Sequence, residues 1–274
     1  MLDAELLQAC RIARQAGALL MEIYDTDFGV RYKSKTDPVT DADTRLNAFI
    51  VDALAEAFPG DGIVAEENAD HSDAMRKGRC WYVDPVDGTR EFIAKNGEFA
   101  VMLGLAIEGA AQLGVVFQPT RDKLYAGVVG QGAFLEHDAQ RRALQVSAVA
   151  DPSALRLVVS RSQRSKSMDE LDDRLHIGEE TSSGSVGLKV GLIAEQRADL
   201  YVAVSSKSSA WDACAPEAVL RAAGGRFTDL AGEPYHYGGT DMRNRGGILA
   251  CNATAYEAVL PVARDLGRKA GLID

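Results

Sequence analysis

The stretch that decides the fold is Asp84-Pro85-Val86-Asp87-Gly88-Thr89, which follows directly on the apolar run Trp81-Tyr82-Val83. An uninterrupted apolar run of this kind predicts a short buried strand. Because Pro85 has no N–H to donate to a ladder, we expect the strand to end there. Gly88 permits a tight turn, and we expect a helix over residues 89–95. Two carboxylates are therefore predicted at the end of a strand, beside the N-terminus of a helix.

This turn offers the atoms that suit both a metal ion and a phosphate group. Asp84 and Asp87 supply carboxylate oxygens, Val86 can aim its carbonyl oxygen, and clustered hard oxygens of this kind suit Mg²⁺. The free N–H groups of Gly88 and Thr89 suit a phosphate oxygen. For the isolated motif, an Asx-type turn with one capping aspartate is an equal alternative. The rest of the chain has to decide between the two.

Composition indicates an ordinary globular protein of 274 residues, with 46% hydrophobic and 26% charged residues, built as one domain or as two lobes that share a core. A net charge of −10 argues against nucleic acid as a partner but allows a small phosphorylated substrate, provided that divalent metals reverse the local field. We see no apolar run long enough for a membrane span and no signal-like N-terminus, so we expect a cytoplasmic protein. Widely spaced cysteines, Cys10, Cys80, Cys214 and Cys251, agree with free thiols in a reducing compartment.

Further acids recur at predicted element ends. A helical stripe over residues 4–24 and an extended polar segment, Val30 to Pro38, precede a second helix, for which Thr40 or Asp41 is a natural N-cap. Capping explains one acid in that first turn but does not require Asp43. Glu66 follows the short strand 63–65, and neighbouring strands that end at one sheet edge would bring it close to the acids of residues 84–87.

The spacing of strands and turns predicts two regions. Four strands, over residues 99–107, 112–118, 123–129 and 132–136, are separated by turn residues in the manner of antiparallel hairpins. After a strand at 155–160 the pattern alternates, with helices over 168–175, 184–195, 213–223 and 253–269 and strands over 199–204 and 247–251. We place the boundary between the two lobes near residue 150.

One more acid, Asp212, precedes the predicted helix 213–223, and a role as its N-cap is the simpler reading. Cys214 has no histidine near it in sequence, so a buried structural thiol is expected rather than a nucleophile. The four histidines show no metal-ligand spacing; they are His71, His137, His176 and His236.

Taken together, these motifs resemble the inositol monophosphatase superfamily of Mg²⁺-dependent, Li⁺-sensitive phosphomonoesterases. The pieces that carry the resemblance occur in the same order: Asp37-Pro-Val-Thr-Asp-Ala-Asp43, Glu66-Glu67, Asp84-Pro-Val-Asp-Gly-Thr89 and Trp211-Asp212. It covers essentially the whole chain, and the four-part combination is highly specific.

Within that superfamily, several stretches resemble the 3′(2′),5′-bisphosphate nucleotidases. They are Gly97-Glu98-Phe99, Val159-Ser160-Arg161-Ser162, Lys189 and Trp211-Asp-Ala-Cys-Ala-Pro-Glu217. Two positions depart from the known patterns. Gln163 stands where the nucleotidases usually carry a histidine, and Ser205 stands near the place where the inositol phosphatases carry a glutamate that holds ring hydroxyls. The second departure weakens the inositol reading more than the first weakens the nucleotide reading.

The resemblance implies roles for the acids and their neighbours. Glu66, Asp84, Asp87, Asp212 and the Val86 carbonyl would hold two Mg²⁺ ions, and Asp43 would assist a third and orient the attacking water, to which Thr89 would hydrogen-bond. Glu66, Asp43 and Thr89 are thus the implied catalytic residues, and Gly88, Thr89, Lys189 and Asp212 the implied contacts to substrate. Lys189 and Arg161 could supply charge for a second phosphate; the alternative for both is ordinary solvated surface.

The implied fold is α/β (α+β), a layered αβαβα sandwich of two lobes, residues 1–150 with an antiparallel sheet and 151–274 with a mixed one, and the site between them. The implied activity is hydrolysis of adenosine 3′,5′-bisphosphate to AMP and phosphate. An inositol or sugar monophosphatase is the nearest alternative, and a catalytically silent metal- or phosphate-binding regulatory protein is an alternative of another class. A homodimer is a possible assembly.

Overall fold

The computed structural model describes residues 2–34, 37–162, 164–239 and 241–274, without the side chains of residues 33, 34 and 37. The helices are α1 (Asp3–Tyr24), α2 (Asp41–Ala57), α3 (Thr89–Ile93), α4 (Lys166–Leu175), α5 (Val186–Ala194), α6 (Ala210–Ala222) and α7 (Tyr256–Lys269). The strands are β1 (Val30–Ser34), β2 (Asp37–Thr40), β3 (Gly62–Ala65), β4 (Arg79–Asp87), β5 (Ala100–Ile107), β6 (Ala110–Gln118), β7 (Lys123–Val128), β8 (Gly132–His137), β9 (Gln140–Leu144), β10 (Arg156–Ser160), β11 (Glu179–Ser183), β12 (Leu200–Ala203), β13 (Arg226–Thr228) and β14 (Ile248–Cys251).

The larger sheet has seven strands in the order β3-β4-β5-β6-β7-β8-β9. Strands β4 to β9 pair antiparallel with their neighbours, as the hairpin spacing predicted, whereas β3 pairs parallel with β4. Strand β9 was not predicted, because its sequence, Gln-Arg-Arg-Ala-Leu, is mostly polar and exposed at the sheet edge.

The smaller sheet has five strands in the order β11-β10-β12-β14-β13. It is mixed, as expected: β10 is parallel to both neighbours, and β14 is antiparallel to β12 and β13. Strands β11 and β13 were not predicted, the first because it is polar and the second because it has only three residues. The proposed lobe boundary near residue 150 falls between the two sheets in the chain.

Five layers follow from the alternation of side chains along the strands. In β5, Val101 and Leu103 face a core formed with α1 and α2, while Met102 faces α5 and α6. In the smaller sheet, Val158 faces α5 and α6, whereas Leu157 faces α4 and α7. The order of layers is therefore α1/α2, large sheet, α5/α6, small sheet, α4/α7, which confirms the αβαβα sandwich.

Two glycines allow helix α6 to lie directly on the large sheet. A Cβ on Gly104 would come within 2.6 Å of the Ala215 nitrogen, and one on Gly114 within 2.1 Å of its carbonyl oxygen. Because any side chain at either position would push α6 away, these glycines fix the height of the helix above the sheet. The helix carries Asp212, so this contact also positions one of the predicted site acids.

The prediction that the strand ends at Pro85 is wrong, since β4 continues to Asp87. Asp84 pairs with Met102 and Asp87 with Ala100, so that three steps along β4 match two along β5. The extra residue is a bulge, and Pro85 lies where the ladder requires no N–H. In a regular strand, residues three apart point to opposite faces; the bulge turns both aspartates toward the same side.

Candidate metal and phosphate site

Three carboxylates meet at the carboxyl end of β4. Oxygens of Asp84, Asp87 and Asp212 lie within 4.8 Å of one another, with Asp84 and Asp87 buried and Asp212 partly buried. Burial raises the pKa of Asp84 and of Asp212 well above the usual value, and repulsion from neighbouring acids raises both further. The charged forms are therefore unfavourable here without a cation, and hard oxygen ligands at this density fit Mg²⁺.

Glu66 joins this cluster because of the parallel pairing of β3 with β4. Ala65 is paired with Val83, and the N–H of Glu66 continues the ladder by donating to the Val83 carbonyl at 3.1 Å. The Glu66 carboxylate lines the same cavity as the aspartates and contributes to the raised pKa of Asp84. The expectation that two strand ends bring these acids together is confirmed.

The expectation that Asp212 precedes its helix is wrong: α6 begins at Ala210 with Ser209 as N-cap. Asp212 is the third helical residue, and its Oδ2 accepts the backbone N–H of Ser209 at 2.6 Å. This capping box orients the Asp212 carboxylate, because the N-cap backbone N–H binds one of its two oxygens.

Asp43 occupies the same position in α2, with Thr40 as N-cap. Its Oδ2 accepts the backbone N–H of Thr40 at 2.7 Å and the Thr40 hydroxyl at 2.6 Å. Its Oδ1 lies 3.3 Å from the hydroxyl of Thr89, which is also 3.3 Å from the Val86 carbonyl. The Asp43 side chain therefore does both things: one oxygen caps α2 and the other contacts Thr89 in the site.

A contact that the sequence did not predict holds Asp87. The hydroxyl of Ser185 and the backbone N–H of Gly187, the latter at 2.8 Å, both donate to Asp87 Oδ2. Ser185 is the N-cap of α5 and has a φ of +54°, a left-handed conformation that a non-glycine residue rarely adopts. Its hydroxyl also accepts the N–H of Leu188. The only sequence signal was a hydroxyl at the start of a predicted helix.

Gly88 makes the tight turn into α3. Its φ is +103°, and an added Cβ would lie 3.0 Å from the carbonyl oxygen of Glu98. It is the N-cap of the short helix, so the first N–H groups of α3 lack intrahelical partners and point from the helix start. Gly88 and Thr89 both line the cavity with the acids.

Lys189 and Arg161 differ in their surroundings. Lys189 is only 3% exposed, and its Nζ donates to the Ser185 carbonyl at 2.8 Å and lies 5.0 Å from the ring centre of Tyr201. Burial lowers its pKa, while Asp87 opposes that shift. The solvated-surface alternative is therefore wrong for Lys189. Arg161 is exposed, but its guanidinium forms a bidentate ion pair with Glu98. Gln163 lies outside the described residues.

The acids lie in a cavity of about 610 Å³ that is bounded by both sheets and by the start of α6. Besides the predicted residues it is lined by cations that the sequence analysis did not single out: Arg90, Arg164, Lys207 and Arg243. A run of serines, Ser205, Ser206, Ser208 and Ser209, forms one wall. The Cys214 thiol is fully buried and its pKa is raised by burial, as expected of a structural cysteine.

This fold and this acidic site define a class of metal-dependent phosphatases that act on small phosphorylated substrates. The chain belongs to the inositol monophosphatase family, whose sequence model matches residues 2–268. It is 36% identical over 233 residues to the 3′(2′),5′-bisphosphate nucleotidase CysQ of Escherichia coli (strain K12), covering 84% of this chain and 92% of that protein.

More distant relatives carry other names. The chain is 28% identical over 261 residues to the Nus factor SuhB of Salmonella typhimurium, with 94% of each chain covered. The crystal structure of extragenic suppressor protein suhB from Bartonella henselae superposes with a TM-score of 0.81 at 24% identity, over 96% of this chain and 98% of that one, and so supports the fold. No helix among the described residues is both long and apolar enough to cross a membrane.

Proposed function

We propose that this protein is a Mg²⁺-dependent 3′(2′),5′-bisphosphate nucleotidase, which hydrolyses the 3′-phosphate of adenosine 3′,5′-bisphosphate to AMP and phosphate. The observation that carries the phosphatase assignment is the convergence of buried carboxylates from β4 and α6 beside a Thr89–Asp43 contact. The choice of substrate rests on the 36% identity to the bisphosphate nucleotidase CysQ and on the additional cations around the cavity.

The proposed metal ligands are the carboxylates of Glu66, Asp84, Asp87 and Asp212 and the carbonyl of Val86. Bound Mg²⁺ would neutralise the charge of the transferring phosphoryl group and activate the attacking water. The protein prepares the ligands before a metal binds: Ser185 and Gly187 occupy Asp87 Oδ2, which leaves Oδ1 to face a cation, and Ser209 similarly occupies Asp212 Oδ2.

Thr89 and Asp43 would hold the attacking water. Two donors from Thr40 fix Asp43 Oδ2, so Oδ1 points to the Thr89 hydroxyl. A hydroxyl held between a carboxylate and the Val86 carbonyl can accept a water proton only as its own proton moves to the carboxylate, so Thr89 and Asp43 would act together as the proton acceptor.

Gly88, Thr89, Lys189 and Asp212 are the proposed contacts to substrate. The N–H groups at the start of α3 would hold phosphate oxygens, because they have no partner within the helix. Lys189 places a buried ammonium group beside the acids of the cavity, where Asp87 is the carboxylate with the largest effect on its pKa. Because Lys189 is buried beside Asp87, we propose that its charge offsets the carboxylates of the metal site and is not reserved for a second phosphate.

An inositol or sugar monophosphatase remains the second candidate, which the match to the inositol monophosphatase family supports. A catalytically silent regulatory protein that binds metal or phosphate is the candidate of another class. It would have little use for the contact between Thr89 and Asp43 at a complete acidic set.

Initial rates of phosphate release on a substrate panel test the proposal. With Mg²⁺ present, we expect adenosine 3′,5′-bisphosphate to be hydrolysed with a higher kcat/KM than inositol 1-phosphate or fructose 1,6-bisphosphate, and no substrate to be hydrolysed in EDTA. A preference for inositol 1-phosphate would favour the inositol monophosphatase. Failure to release phosphate from any of the three substrates would favour the catalytically silent regulatory protein.

We also propose a cytoplasmic location and a homodimer. Fractionation of cells that express the protein tests the first. Light scattering on the eluting peak of a sizing column tests the second, since the monomer mass is 29.4 kDa.

A further inference from the structure

Five cations line the metal cavity: Arg90, Arg164, Lys189, Lys207 and Arg243. Three of them, Arg90, Arg164 and Lys189, are already engaged with other groups of the protein. Arg164 forms ion pairs with Glu180 at 2.9 Å and with Asp169. Lys189 is bound to the Ser185 carbonyl. Arg161, outside the cavity lining, is held by Glu98. In the part of the chain that the structure describes, the side chains of Lys207 and Arg243 form no ion pair and no hydrogen bond.

These two exposed cations lie on or next to a pair of backbone segments, residues 208–210 and 242–244, which we call the frame and which meets the start of α6. Residue 243 forms an isolated antiparallel bridge with Ser209, the N-cap of the helix that carries Asp212. The N–H of Ala210 donates to the Met242 carbonyl at 2.7 Å, and the N–H of Asn244 donates to the Ser208 carbonyl at 2.9 Å.

The side chain of Asn244 locks the same frame. It is 5% exposed, and its Nδ2 donates to the carbonyl of Ser209 at 2.6 Å and to the hydroxyl of Ser208 at 3.1 Å. Two backbone segments, 208–210 and 242–244, are thereby fastened together at the start of α6. Arg243 lies within the second segment and Lys207 directly precedes the first, so the backbone of both residues is held beside the start of α6, the helix that carries Asp212.

We propose that Lys207 and Arg243 form a second anion subsite at the rim of the metal cavity, which binds the phosphate group of the substrate that is not hydrolysed. This inference rests on the proposed function and adds a subsite to it. A guanidinium presents several N–H donors to phosphate oxygens, and an ammonium adds a mobile point charge. Ser205 and Ser206, which line the same wall, supply hydroxyls next to them.

The charge of the surroundings makes an anion the fitting occupant. The chain has a net charge of −10, and the carboxylates of the metal site lie in the same cavity. Unpaired cations on an acidic protein attract a multiply charged anion, whereas a neutral polyol such as an inositol ring gives a guanidinium no charge to neutralise. The ligand class is therefore a small phosphate ester with a second phosphate group.

Matched substrates separate this subsite from the reaction centre. Adenosine 3′,5′-bisphosphate and adenosine 3′-monophosphate carry the same scissile phosphate, and only the first carries the second one. We expect Lys207→Ala and Arg243→Ala each to lower kcat/KM on the bisphosphate by about 10- to 100-fold, the size of a lost charge-assisted hydrogen bond. The rate on the monophosphate should change less than about two-fold.

Arg245→Ala is the matched control. Arg245 lies in the same loop and is exposed, but it pairs with Asp241 and does not line the cavity. Its removal should leave kcat/KM on both substrates unchanged. Equal losses on the two substrates in the Lys207 and Arg243 variants, or a loss of the same size in Arg245→Ala, would overturn the subsite.

Binding of AMP tests the subsite without catalysis. AMP retains the phosphate in question and lacks the scissile one, and adenosine lacks both. In calorimetric titrations at low salt, Arg243→Ala should weaken AMP binding by about ten-fold or more and leave adenosine binding as it is. Unchanged AMP affinity contradicts the subsite. If the wild-type enzyme fails to prefer the bisphosphate, the proposed function fails, while the AMP titration still decides whether these cations bind phosphate.

Discussion

Replacing Asp84 by asparagine should remove nearly all activity and at the same time stabilise the metal-free protein. The substitution keeps the shape of the side chain, and its oxygen can still accept the Val86 N–H, which donates to Asp84 at 2.9 Å. What disappears is one negative charge among carboxylates that lie within 4.8 Å of one another. The metal site loses an anionic ligand, and the metal-free fold loses a source of repulsion.

The size of the stability gain follows from the geometry. Two unit charges 4.8 Å apart repel by about 3.5 kcal/mol at an effective dielectric constant of about 20. Proton uptake reduces this ceiling, because burial and the neighbouring acids raise the pKa of Asp84 well above its usual value. We therefore expect Asp84→Asn to raise the free energy of unfolding in EDTA by about 1–2 kcal/mol at pH 8.

The pH dependence has a definite sign. Because the folded-state pKa of Asp84 lies above the unfolded value, the folded protein binds the extra proton, and stability is lost as pH rises through the folded pKa. In EDTA, the wild-type free energy of unfolding should fall as pH rises above about 4, the ordinary range of an aspartate. The Asp84→Asn variant should show a shallower decline over the same range.

Urea unfolding in EDTA and in Mg²⁺, together with phosphate release at saturating Mg²⁺, provides the assay. Mg²⁺ at 100 times its dissociation constant should stabilise the wild type by about 2.7 kcal/mol and the variant by much less. Asp173→Asn, an exposed acid on α4, controls for the loss of one charge. The reasoning is refuted if Asp84→Asn keeps most of the wild-type rate or is less stable than the wild type in EDTA.

Four further outcomes follow from the site. Thr89→Ala should lower kcat by about 10²–10⁴ with little change in the Mg²⁺ half-saturation, because its hydroxyl contacts Asp43; an unchanged kcat would refute the role of Thr89 in holding the attacking water. Li⁺ at millimolar concentrations should inhibit, more strongly at high Mg²⁺, and complete insensitivity across a titration would argue against membership of the Li⁺-sensitive group. Ser185→Ala should weaken Mg²⁺ binding by about ten-fold, since Asp87 loses a charge-assisted donor, and it should cost about 1 kcal/mol of stability as a lost N-cap; unchanged Mg²⁺ titrations would make it a cap alone. Lys189→Ala should lower kcat/KM on both adenosine 3′,5′-bisphosphate and adenosine 3′-monophosphate. A loss on the bisphosphate alone would instead show that Lys189 binds the phosphate that is not hydrolysed.

Much of the fold could be predicted because its signals are local. Apolar runs separated by turn residues predicted the antiparallel strands β5 to β8, and helical stripes predicted α1, α2 and α7, since alternation and turn chemistry act over a few residues. Polar strands such as β11 have no such signal; β11 forms because β10 offers a parallel partner for its backbone, a long-range condition.

The candidate site also has a part that the sequence predicted and a part that depended on the tertiary structure. The acids of β4 and the acid after β3 were predicted to meet because they end two strands that are close in the chain, and the sequence alone contains that information. Only the tertiary structure decided which way these acids point. The bulge at Pro85 turns Asp84 and Asp87 to one side, and the glycine contacts of α6 bring Asp212 from a distant part of the chain.

The charges around the site depended even more on the tertiary structure. Nothing in the local sequence of Lys189 distinguishes a buried lysine from a solvated one, and Arg161 gives no sign that Glu98 will hold it. Burial and pairing depend on which elements pack together, and these are set by contacts between residues far apart in the chain. The sequence by itself determined which residue types the chemistry has available, and the packing of α5 and α6 between the sheets decided which of them face the cavity.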